Sequence, residues 1–341
     1  MRIVVIGGDA CGASAASGAK RALGDEAEVI VLERQPWTSY SACGIPYWMA
    51  GEVDGPDGLV ARTPEQHRAN GLDLRTGWTV TAIGLADRTV SATTDTGGQE
   101  VVPFDQLVIG TGAVPLRPPI PGIDLPGVHG VQTLDDGLRV LDSMHRDPTR
   151  AVVIGAGYIG IEMAEAMKRR GLQVTVVDQA PQPMTTLDPD MGALIAQAME
   201  GMGISYRGGE PVQAIEAGDS GRAAAVVTER GTYPADIVVL GLGVRPNTGL
   251  AAAAGLPLGE RGGLLTDDRM QVLDHPGIWA GGDCVEVVDR ITGRRLHVPL
   301  GTHANKHGRV IGANLAGGDL RFPGIVGTAV SKICELEISR V

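Results

Sequence analysis

Several common sequence signals are missing from this chain of 341 residues. Its four cysteines form no CxxC pair and have no zinc-ligand spacing, so the pattern predicts neither a local dithiol nor a metal site. No apolar run approaches the roughly 20 residues of a membrane span, and the amino terminus lacks the features of a signal peptide. Unpaired cysteines are typical of reducing compartments, so we expect a cytoplasmic protein without a membrane partner.

An excess of positive charge is also missing. Lys and Arg number 29 against 40 Asp and Glu, which gives a net charge of -11. This sign argues against nucleic acid and anionic membrane surfaces as partners. Glycine, in contrast, is abundant: the 50 glycines have no collagen-like period and indicate turns and close backbone approaches.

Two similar segments lie about 150 residues apart, and each reads as a strand, a glycine-rich turn, a small-residue helix and a strand ending in an acid. They are RIVVIGGDACGASAASGAKR followed by EVIVLER, and AVVIGAGYIGIEMAEAMKRRG followed by VTVVDQ. Further apolar strands are predicted at 107–109, 237–240 and 278–280, each running into a glycine-rich turn. Continuous apolar strands are typical of parallel sheets. The pattern predicts an α/β fold with two Rossmann-like, three-layer dinucleotide-binding domains.

The second turn, GAGYIG, is a complete GxGxxG between a strand and a helix. Gly155 permits the tight turn, Gly157 lets the backbone reach a pyrophosphate, and Gly160 lets helix and strand pack closely. Asp178 ends the next strand, 18 residues after Gly160, where an acid can bind a ribose diol. No Arg or Lys lies in the following QAPQ, which favours NADH over NADPH, although a basic residue from elsewhere could still provide for NADPH.

The first turn, GGDACG, has Asp9 where the motif expects its second glycine. A carboxylate there would face a phosphate unless its side chain turns away. Glu33 ends the following strand, 21 residues after Gly12, so we predict a second dinucleotide site, with a plain strand–helix turn as the alternative. Asp283, in GGDC after a predicted strand, could bind a polyol such as a ribityl chain or cap a helix.

Cys43 lies in SYSACGIPYWMAG, where Pro46 and a helix-compatible stretch follow it. Proline is favoured in a first helical turn, so Cys43 is predicted at a helix start, which favours the thiolate. A thiolate can attack a disulfide or hold a sulfenic acid. No second cysteine lies within six residues, so no local disulfide is expected. Lone cysteines are otherwise small packing residues, our interpretation of Cys11, Cys284 and Cys334.

These motifs, in this order, resemble the pyridine nucleotide-disulfide oxidoreductase superfamily over essentially the whole chain. They are GGDACG, Glu33, TGA at 111–113, GAGYIGIE, GVRPN and GGDC. The pattern SxxxCGxPYxxG around Cys43 resembles the single-cysteine branch, which includes coenzyme A-disulfide reductases, NADH oxidases, NADH peroxidases and persulfide reductases. The match is closest to the coenzyme A-disulfide reductase type.

The resemblance implies that NADH, or NADPH, reduces FAD, and that two electrons then pass to Cys43 and on to a small disulfide or persulfide such as CoA-disulfide. The alternative is a flavoprotein NADH oxidase or electron-transfer reductase in which Cys43 is auxiliary. A third class, a non-catalytic flavin-binding protein, is disfavoured because it would have little need of a complete nicotinamide motif.

The resemblance also assigns contacts by position. FAD contacts are implied at Gly7, Gly12, Glu33, Thr111, Ala113 and Asp283. Nicotinamide-cofactor contacts are implied at Gly155, Gly157, Gly160 and Asp178, with Tyr158 over the flavin ring until nicotinamide displaces it. Further cofactor contacts are predicted at Gly8, Arg34, Gly112, Ile159, Glu162 and Gly243. Beside the catalytic Cys43, substrate contacts are implied at Ser14, Arg21, Ser39 and His303.

Three positions depart from the family pattern. The peroxidases and oxidases have a histidine where this chain has Ala10, which counts against peroxide or oxygen reduction through a Cys43 sulfenic acid. An asparagine before the cysteine is Ala42 here, and a basic residue downstream is Gly71. The acceptor is therefore left open between CoA-disulfide and another low-molecular-weight disulfide or persulfide.

Two candidate substrate contacts keep an alternative. Arg21, with Lys20 before it, offers positive charge to the phosphates of CoA or else lies at a solvated helix end. His303 is a substrate contact or a capping or core histidine.

The predicted domains are an FAD-binding domain (1–114 and 247–328), an NAD(P)H-binding domain (115–246) and the start of a dimerisation domain (329–341). In the family, a C-terminal domain completes the active site of the partner in a homodimer. The chain ends where that domain should begin, so we expect a truncated chain, with a short terminal strand as the alternative.

Overall fold

The structure, a computed structural model, describes residues 1–340. In this range the α-helices are α1 Ala10–Leu23, α2 Ile45–Ala50, α3 Pro64–Ala69, α4 Leu134–Met144, α5 Tyr158–Arg169, α6 Pro189–Gly201, α7 Gly249–Ala253 and α8 Gly301–Leu315. The strands are β1 Arg2–Ile6, β2 Glu28–Glu33, β3 Asp73–Thr76, β4 Trp78–Gly84, β5 Thr89–Thr94, β6 Gln99–Pro103, β7 Gln106–Ile109, β8 Ala113–Pro115, β9 Val128–Gly130, β10 Arg150–Ile154, β11 Gln173–Asp178, β12 Ile204–Gly208, β13 Val212–Ala217, β14 Ala223–Thr228, β15 Thr232–Pro234, β16 Ile237–Leu240, β17 Val244–Pro246, β18 Leu264–Leu265, β19 Ile278–Ala280, β20 Val285–Val288, β21 Arg295–Leu296, β22 Ala329–Ile333 and β23 Leu336–Arg340.

The chain forms two compact units. Unit 1 comprises 1–41, 60–114 and 245–327, and unit 2 comprises 42–59, 115–244 and 328–341. The chain passes between the units at 114/115 and 244/245, close to the predicted domain boundaries at 114/115 and 246/247. Residues 42–59, which the sequence analysis placed in the FAD-binding domain, group with unit 2. The assignment of a cofactor to each domain stays a prediction.

Unit 1 is built on a parallel sheet with the strand order β19-β7-β1-β2-β3. The central strand β1 is buried from Ile3 to Ile6, as expected for a parallel strand covered on both faces. The strands predicted at 107–109 and 278–280 are present as β7 and β19. The antiparallel strands β4, β5 and β6 form a second sheet in this unit.

Unit 2 repeats this plan. Its parallel sheet has the order β12-β11-β10-β16-β9, with β10 in the centre, and β13, β14 and β15 form an antiparallel sheet. In both units the central strand leads into a glycine-rich turn and a helix. Within each sheet it lies between the strand that follows it in the sequence and a strand from later in the chain. The predicted α/β fold with two Rossmann-like domains is confirmed, and this topology places ligand sites at the carboxyl ends of the central strands.

Small residues let α1 and α8 pack closely in unit 1. A Cβ added at Gly308 would collide with the carbonyl oxygen of Cys11, and one at Gly312 would lie 2.9 Å from that of Ala15. The small-residue composition of α1 therefore has a packing reason. This contact brings α8 against the helix that follows the first glycine-rich turn.

Residues 329–340 form an antiparallel hairpin of β22 and β23. The hairpin packs on α5 within unit 2: the Ser331 hydroxyl donates to Glu162 at 2.9 Å, and the Cys334 N–H donates to Glu165 at 2.8 Å. Val341 lies outside the described residues. No helix within residues 1–340 is long and apolar enough to cross a membrane.

Candidate active site

The two glycine-rich turns are held by the same hydrogen bonds. In unit 1 the Gly8 N–H donates to the Glu33 carboxylate at 2.7 Å, and in unit 2 the Ala156 N–H donates to the Asp178 carboxylate at 2.6 Å. Each acid also accepts from an amide two residues further on, at 2.8 Å for Glu33 and 2.7 Å for Asp178. The acid that ends each second strand therefore fixes the turn beside it.

Steric crowding explains the glycines at both ends of each motif. A Cβ at Gly12 would collide with the carbonyl oxygen of Gly7, and one at Gly160 would collide with that of Gly155. Gly7 and Gly155 have φ angles of +98° and +101°, which favour glycine. The motif positions assigned to the tight turn and to close helix packing thus have those roles in the structure.

The space at the second turn fits a dinucleotide phosphate. A Cβ at Gly157 would meet no atom within 4 Å, so the backbone there faces open space. The N-cap residues of α1 and α5 make no side-chain capping hydrogen bond. The amides at these helix starts can therefore bind an anion.

In the first turn, the position of the Asp9 side chain leaves the helix amides available for a phosphate. It is the N-cap residue of α1, yet its carboxylate does not cap the helix and instead accepts from the Tyr40 N–H at 3.1 Å. Burial raises the pKa of the Asp9 carboxyl to about 7, and the nearby charges of Glu33 and Asp283 act in the same direction. The side chain has turned away from the helix start, as a phosphate site requires.

This pKa makes a prediction for the cofactor-free protein. A carboxyl whose pKa is higher in the folded than in the unfolded state stabilises the fold at low pH, and loses this effect as the pH rises through the folded pKa. We therefore expect Asp9→Asn to raise the Tm of the apoprotein by about 5 °C near pH 8, and by roughly a third as much near pH 5, because the difference grows from the unfolded pKa of 3.8 to the folded pKa of about 7. Calorimetry at the two pH values would measure this. An equal shift at both would show that Asp9 does not titrate in this range.

Two further segments meet at the sheet edge of unit 1. The Thr111 hydroxyl donates to the Asn247 carbonyl at 2.7 Å, and the Asn247 N–H donates to the Gly112 carbonyl at 2.9 Å. This contact ties the TGA and GVRPN motifs together. Asp283 follows β19, and burial raises the pKa of its carboxyl to about 6. The sequence of the GVRPN motif did not indicate that Asn247 contacts Thr111 and Gly112.

His307 was missed by the sequence analysis. It is buried on α8, and its Nδ1 accepts from the Gly282 N–H at 3.1 Å, so it supports the turn that bears Asp283. Burial lowers the pKa of His307 to about 3, which keeps the ring neutral with its proton on Nε2. The sequence feature that could have identified His307 is its spacing of four residues from His303, which places both histidines on the same helix face.

In unit 2, Cys43 lies in the short 3-10 helix Ala42–Gly44, directly before α2. It is exposed, whereas the other three cysteines are buried, as expected for packing residues: Cys11, Cys284 and Cys334. Burial raises the pKa of all three buried thiols, that of Cys334 to about 12, so they stay protonated and unreactive at neutral pH. Cys43 is thus the accessible thiol of the chain.

The helix after Cys43 is firmly docked within unit 2. Pro46 lies in its first turn, as predicted. The Trp48 ring fills the space beside Gly137 of α4, where an added Cβ would collide with it. The Arg170 Nε donates to the carbonyl of Met49 at 2.7 Å. These contacts hold α2 against α4 and the end of α5, and they fix the position of the helix that follows Cys43.

The predicted substrate contacts Ser14, Ser39 and His303 lie in unit 1. The Ser14 hydroxyl donates to Asn305 at 2.9 Å, which joins α1 to α8. The Ser39 hydroxyl lies 2.9 Å from Nε2 of the buried His67, a partner that the sequence did not reveal. His303 is buried on α8 and is not its N-cap residue, which is Leu300. Their roles toward a substrate stay predictions.

Lys20 and Arg21 end α1 differently. The Lys20 ammonium donates to the carbonyls of Gly24 and Ala27 at 2.9 and 3.1 Å. Its stem fills the space beside Gly71, where a Cβ would lie 2.9 Å from the Lys20 Cε. Lys20 is therefore occupied in closing the helix end, while Arg21 is exposed and stays a candidate for binding an anion.

The remaining predicted cofactor contacts are distributed over both units. Tyr158 and Ile159 begin α5, and the buried Tyr158 hydroxyl has no hydrogen-bond partner in the described residues. Glu162 accepts from Ser331, and burial raises the pKa of its carboxyl. Arg34 is exposed beside Glu33, and Ala113 begins β8. Gly243, before β17, has a φ angle of +84°.

Comparisons with known proteins agree with this geometry. The family profile "Pyridine nucleotide-disulphide oxidoreductase" matches residues 1–308. The chain is 37% identical over 341 residues to an NADH oxidase of Methanocaldococcus jannaschii, covering 99% of this chain and 75% of that protein. It is 36% identical over 342 residues to an NAD(P)H coenzyme A polysulfide/persulfide reductase of Pyrococcus horikoshii, with the same coverage.

A solved structure extends the likeness to the whole described fold. An NAD-dependent persulfide reductase from A. fulgidus superposes with a TM-score of 0.93 at 35% identity, covering 98% of this chain and 62% of that chain. The chain thus spans three quarters of the two curated relatives and less than two thirds of this solved chain. With its duplicated nucleotide-binding turns and this extent of similarity, the chain belongs to the pyridine nucleotide-disulphide oxidoreductase family.

Proposed function

We propose that the protein is an FAD-dependent NAD(P)H oxidoreductase that reduces a small disulfide or persulfide through Cys43. The observation that carries the proposal is the exposed Cys43 thiol in a chain whose other cysteines are buried. FAD would be held at the first turn by Gly7, Gly12, Glu33 and Asp283, and the nicotinamide cofactor at the second by Gly155, Gly157, Gly160 and Asp178. Bound there, the two cofactors supply hydride transfer and a store for two electrons.

The chain's own part in the reaction is carried by the Cys43 sulfur. Its thiolate attacks one sulfur of a disulfide RSSR, which forms a Cys43–SR mixed disulfide and releases RS⁻. Two electrons and a proton then cleave this bond, restore the Cys43 thiolate and release RSH. The net reaction is RSSR + NADH + H⁺ → 2 RSH + NAD⁺, and with a persulfide RSSH the products are RSH and H₂S.

Several observations bear on the acceptor. The Pyrococcus relative is named a coenzyme A polysulfide/persulfide reductase, and the A. fulgidus structure a persulfide reductase. In this chain the Lys20 stem occupies the space beside Gly71, and the Lys20 ammonium donates hydrogen bonds to two backbone carbonyls. The exposed Arg21 is therefore the remaining cation that we propose for the phosphates of a CoA-type substrate, either CoA-disulfide or CoA-persulfide.

The second candidate function is an NADH oxidase or electron-transfer reductase in which Cys43 is auxiliary. The Methanocaldococcus relative carries the name NADH oxidase. Ala10, with no ionisable side chain, lies in the first turn, so a proton donor for a Cys43 sulfenic acid is not expected from this position. We therefore place oxidase activity second.

We further propose a homodimer in the cytoplasm. The β22–β23 hairpin would belong to the dimerisation region, since it exposes apolar side chains such as Val330, 75% exposed, and Leu336. The four cysteines form no CxxC pair, which favours a reducing compartment. Domain boundaries at 114/115 and near 246 would separate FAD-binding from NAD(P)H-binding parts.

Anaerobic titration with NADH tests the proposed function. We expect the yellow protein to take up two electrons beyond those needed for its flavin, and to release one small thiol per chain wherever Cys43 was capped. Thiol counts before and after reduction, with CoA-disulfide, CoA-persulfide and oxygen compared as acceptors, provide the measurement. Uptake that stops at the flavin, with oxygen as the best acceptor, would favour the oxidase.

A further inference from the structure

Asp9 occupies the position of the first turn at which the dinucleotide motif and this sequence conflict. When the N-cap residue of a helix has a carboxylate side chain, that carboxylate normally accepts a hydrogen bond from one of the first amides of the helix. Asp9 has extended backbone angles at this position, but its carboxylate accepts from the Tyr40 N–H at 3.1 Å instead. The amides of α1 are left for another anion, and Asp9 remains one residue from them.

The surroundings of Asp9 in unit 1 are acidic. Three groups that titrate face it: the carboxyl of Glu33 at the end of β2, the carboxyl of Asp283 after β19, and the thiol of Cys11 on α1. Glu33 already accepts two amide hydrogen bonds, from Gly8 and Gln35. An anionic Asp9 would share this space with two other carboxyls and, when FAD binds, with a diphosphate.

We propose that Asp9 takes up a proton when FAD binds, so that the first turn accepts the diphosphate only with a neutral Asp9 beside it. The inference rests on the proposed function, because it takes FAD as the dinucleotide of this turn. The proton balance is one H⁺ bound per FAD bound, wherever Asp9 is ionised in the apoprotein. Asp9 thereby makes cofactor affinity depend on pH, a property that a glycine at this position would not give.

The direction of the effect follows from the charge. Removal from water raises the pKa of the Asp9 carboxyl to about 7, the Tyr40 amide opposes this, and the Glu33 charge adds to it. Below this value Asp9 is already neutral, so FAD affinity is independent of its titration. Above it, each FAD must bring a proton with it, and affinity falls by up to about tenfold per pH unit.

The test measures FAD binding to the full chain after its cofactor is stripped, by quenching of flavin fluorescence between pH 5.5 and 9. We expect wild-type affinity to be level below about pH 6.5 and to fall above it, with proton uptake near one per FAD by calorimetry in buffers of different ionisation enthalpy. Asp9→Asn and Asp9→Gly should both flatten the curve, and should bind FAD at least about tenfold more tightly than wild type at pH 8.5. The exposed acid Asp87 provides the control, since Asp87→Asn should retain the wild-type slope.

Two results would overturn the inference: an Asp9→Asn slope equal to the wild-type slope, or both Asp9 variants binding FAD more weakly than wild type at every pH. The first would assign the titration to Glu33 or Asp283, and the second would make the Tyr40 hydrogen bond of Asp9 a structural requirement. ADP-ribose serves as a second probe. If ADP-ribose shows the Asp9-dependent slope and FAD does not bind, both the inference about FAD and the proposed function fail, and Asp9 governs another dinucleotide. If FAD binds and the Asp9 variants keep the wild-type slope, the inference alone fails.

Discussion

Replacement of Cys43 by serine should lower NADH-dependent disulfide or persulfide turnover by about a thousandfold or more. A serine hydroxyl cannot form the mixed disulfide, and removal of a covalent nucleophile removes the pathway that it provides. The steps before Cys43 should remain, so NADH should still bleach the yellow colour of the Cys43→Ser protein at a rate near that of wild type. Stopped-flow absorbance for the first step and steady-state thiol release for the whole reaction would separate the two.

Cys334→Ala is the matched control for this prediction. Cys334 is buried in unit 2 and its thiol stays protonated, so its loss should change turnover little. If Cys43→Ser kept wild-type turnover with every disulfide and persulfide, the role of Cys43 as the electron carrier would be wrong. If it instead lost the colour change with NADH, the substitution would have disturbed the cofactor sites, and the thiol would not be isolated as the cause.

The second large effect concerns two glycines of one motif. A Cβ at Gly160 would collide with the Gly155 carbonyl oxygen, so Gly160→Ala must push α5 away from β10. Such overpacking costs about 1–3 kcal/mol, and the helix start that faces the nucleotide moves with it. We expect the Tm to fall by about 5 °C and the KM for NADH to rise by at least about tenfold.

Gly157→Ala should separate the effect on NADH binding from the effect on thermal stability. No atom lies within 4 Å of an added Cβ at Gly157, and alanine for glycine at an N-cap costs about 0.5–1 kcal/mol. The variant should therefore melt within about 2 °C of wild type. Its affinity for NADH should nevertheless fall about tenfold or more, because the methyl group enters the space where the pyrophosphate approaches the backbone. Unchanged NADH binding in Gly157→Ala would show that the nucleotide does not pass over this residue.

Much of the fold followed from local patterns. The strands at 237–240 and 278–280 could be read because a buried parallel strand is a short continuous run of apolar residues. Gly160 could be assigned because helix-to-strand packing leaves no room for a Cβ, a constraint that acts within a few residues. Asp178 could be placed because a strand end fixes where its side chain projects. The topology then follows, since parallel strands need a helical connection.

Contacts between distant segments could not be read in this way. His67 pairs with Ser39, His307 supports Gly282, and Asn247 holds Thr111. Each pair joins residues from different elements, and no spacing rule links them. Burial also decided the protonation of the buried histidines: it lowers the pKa of His67 to about 4, so this ring stays neutral well below the pH at which a solvated histidine takes up its proton.

By itself the sequence determined the two nucleotide-binding motifs, their acidic strand ends and the candidate thiol, because each depends on backbone conformation and side-chain order over fewer than about 30 residues. Tertiary structure alone decided that Cys43 is exposed while the other cysteines are buried, that residues 42–59 pack with unit 2, and that the Asp9 carboxylate turns to Tyr40. The physical reason is that solvent exposure and hydrogen-bond partners are set by which distant segments the fold brings together.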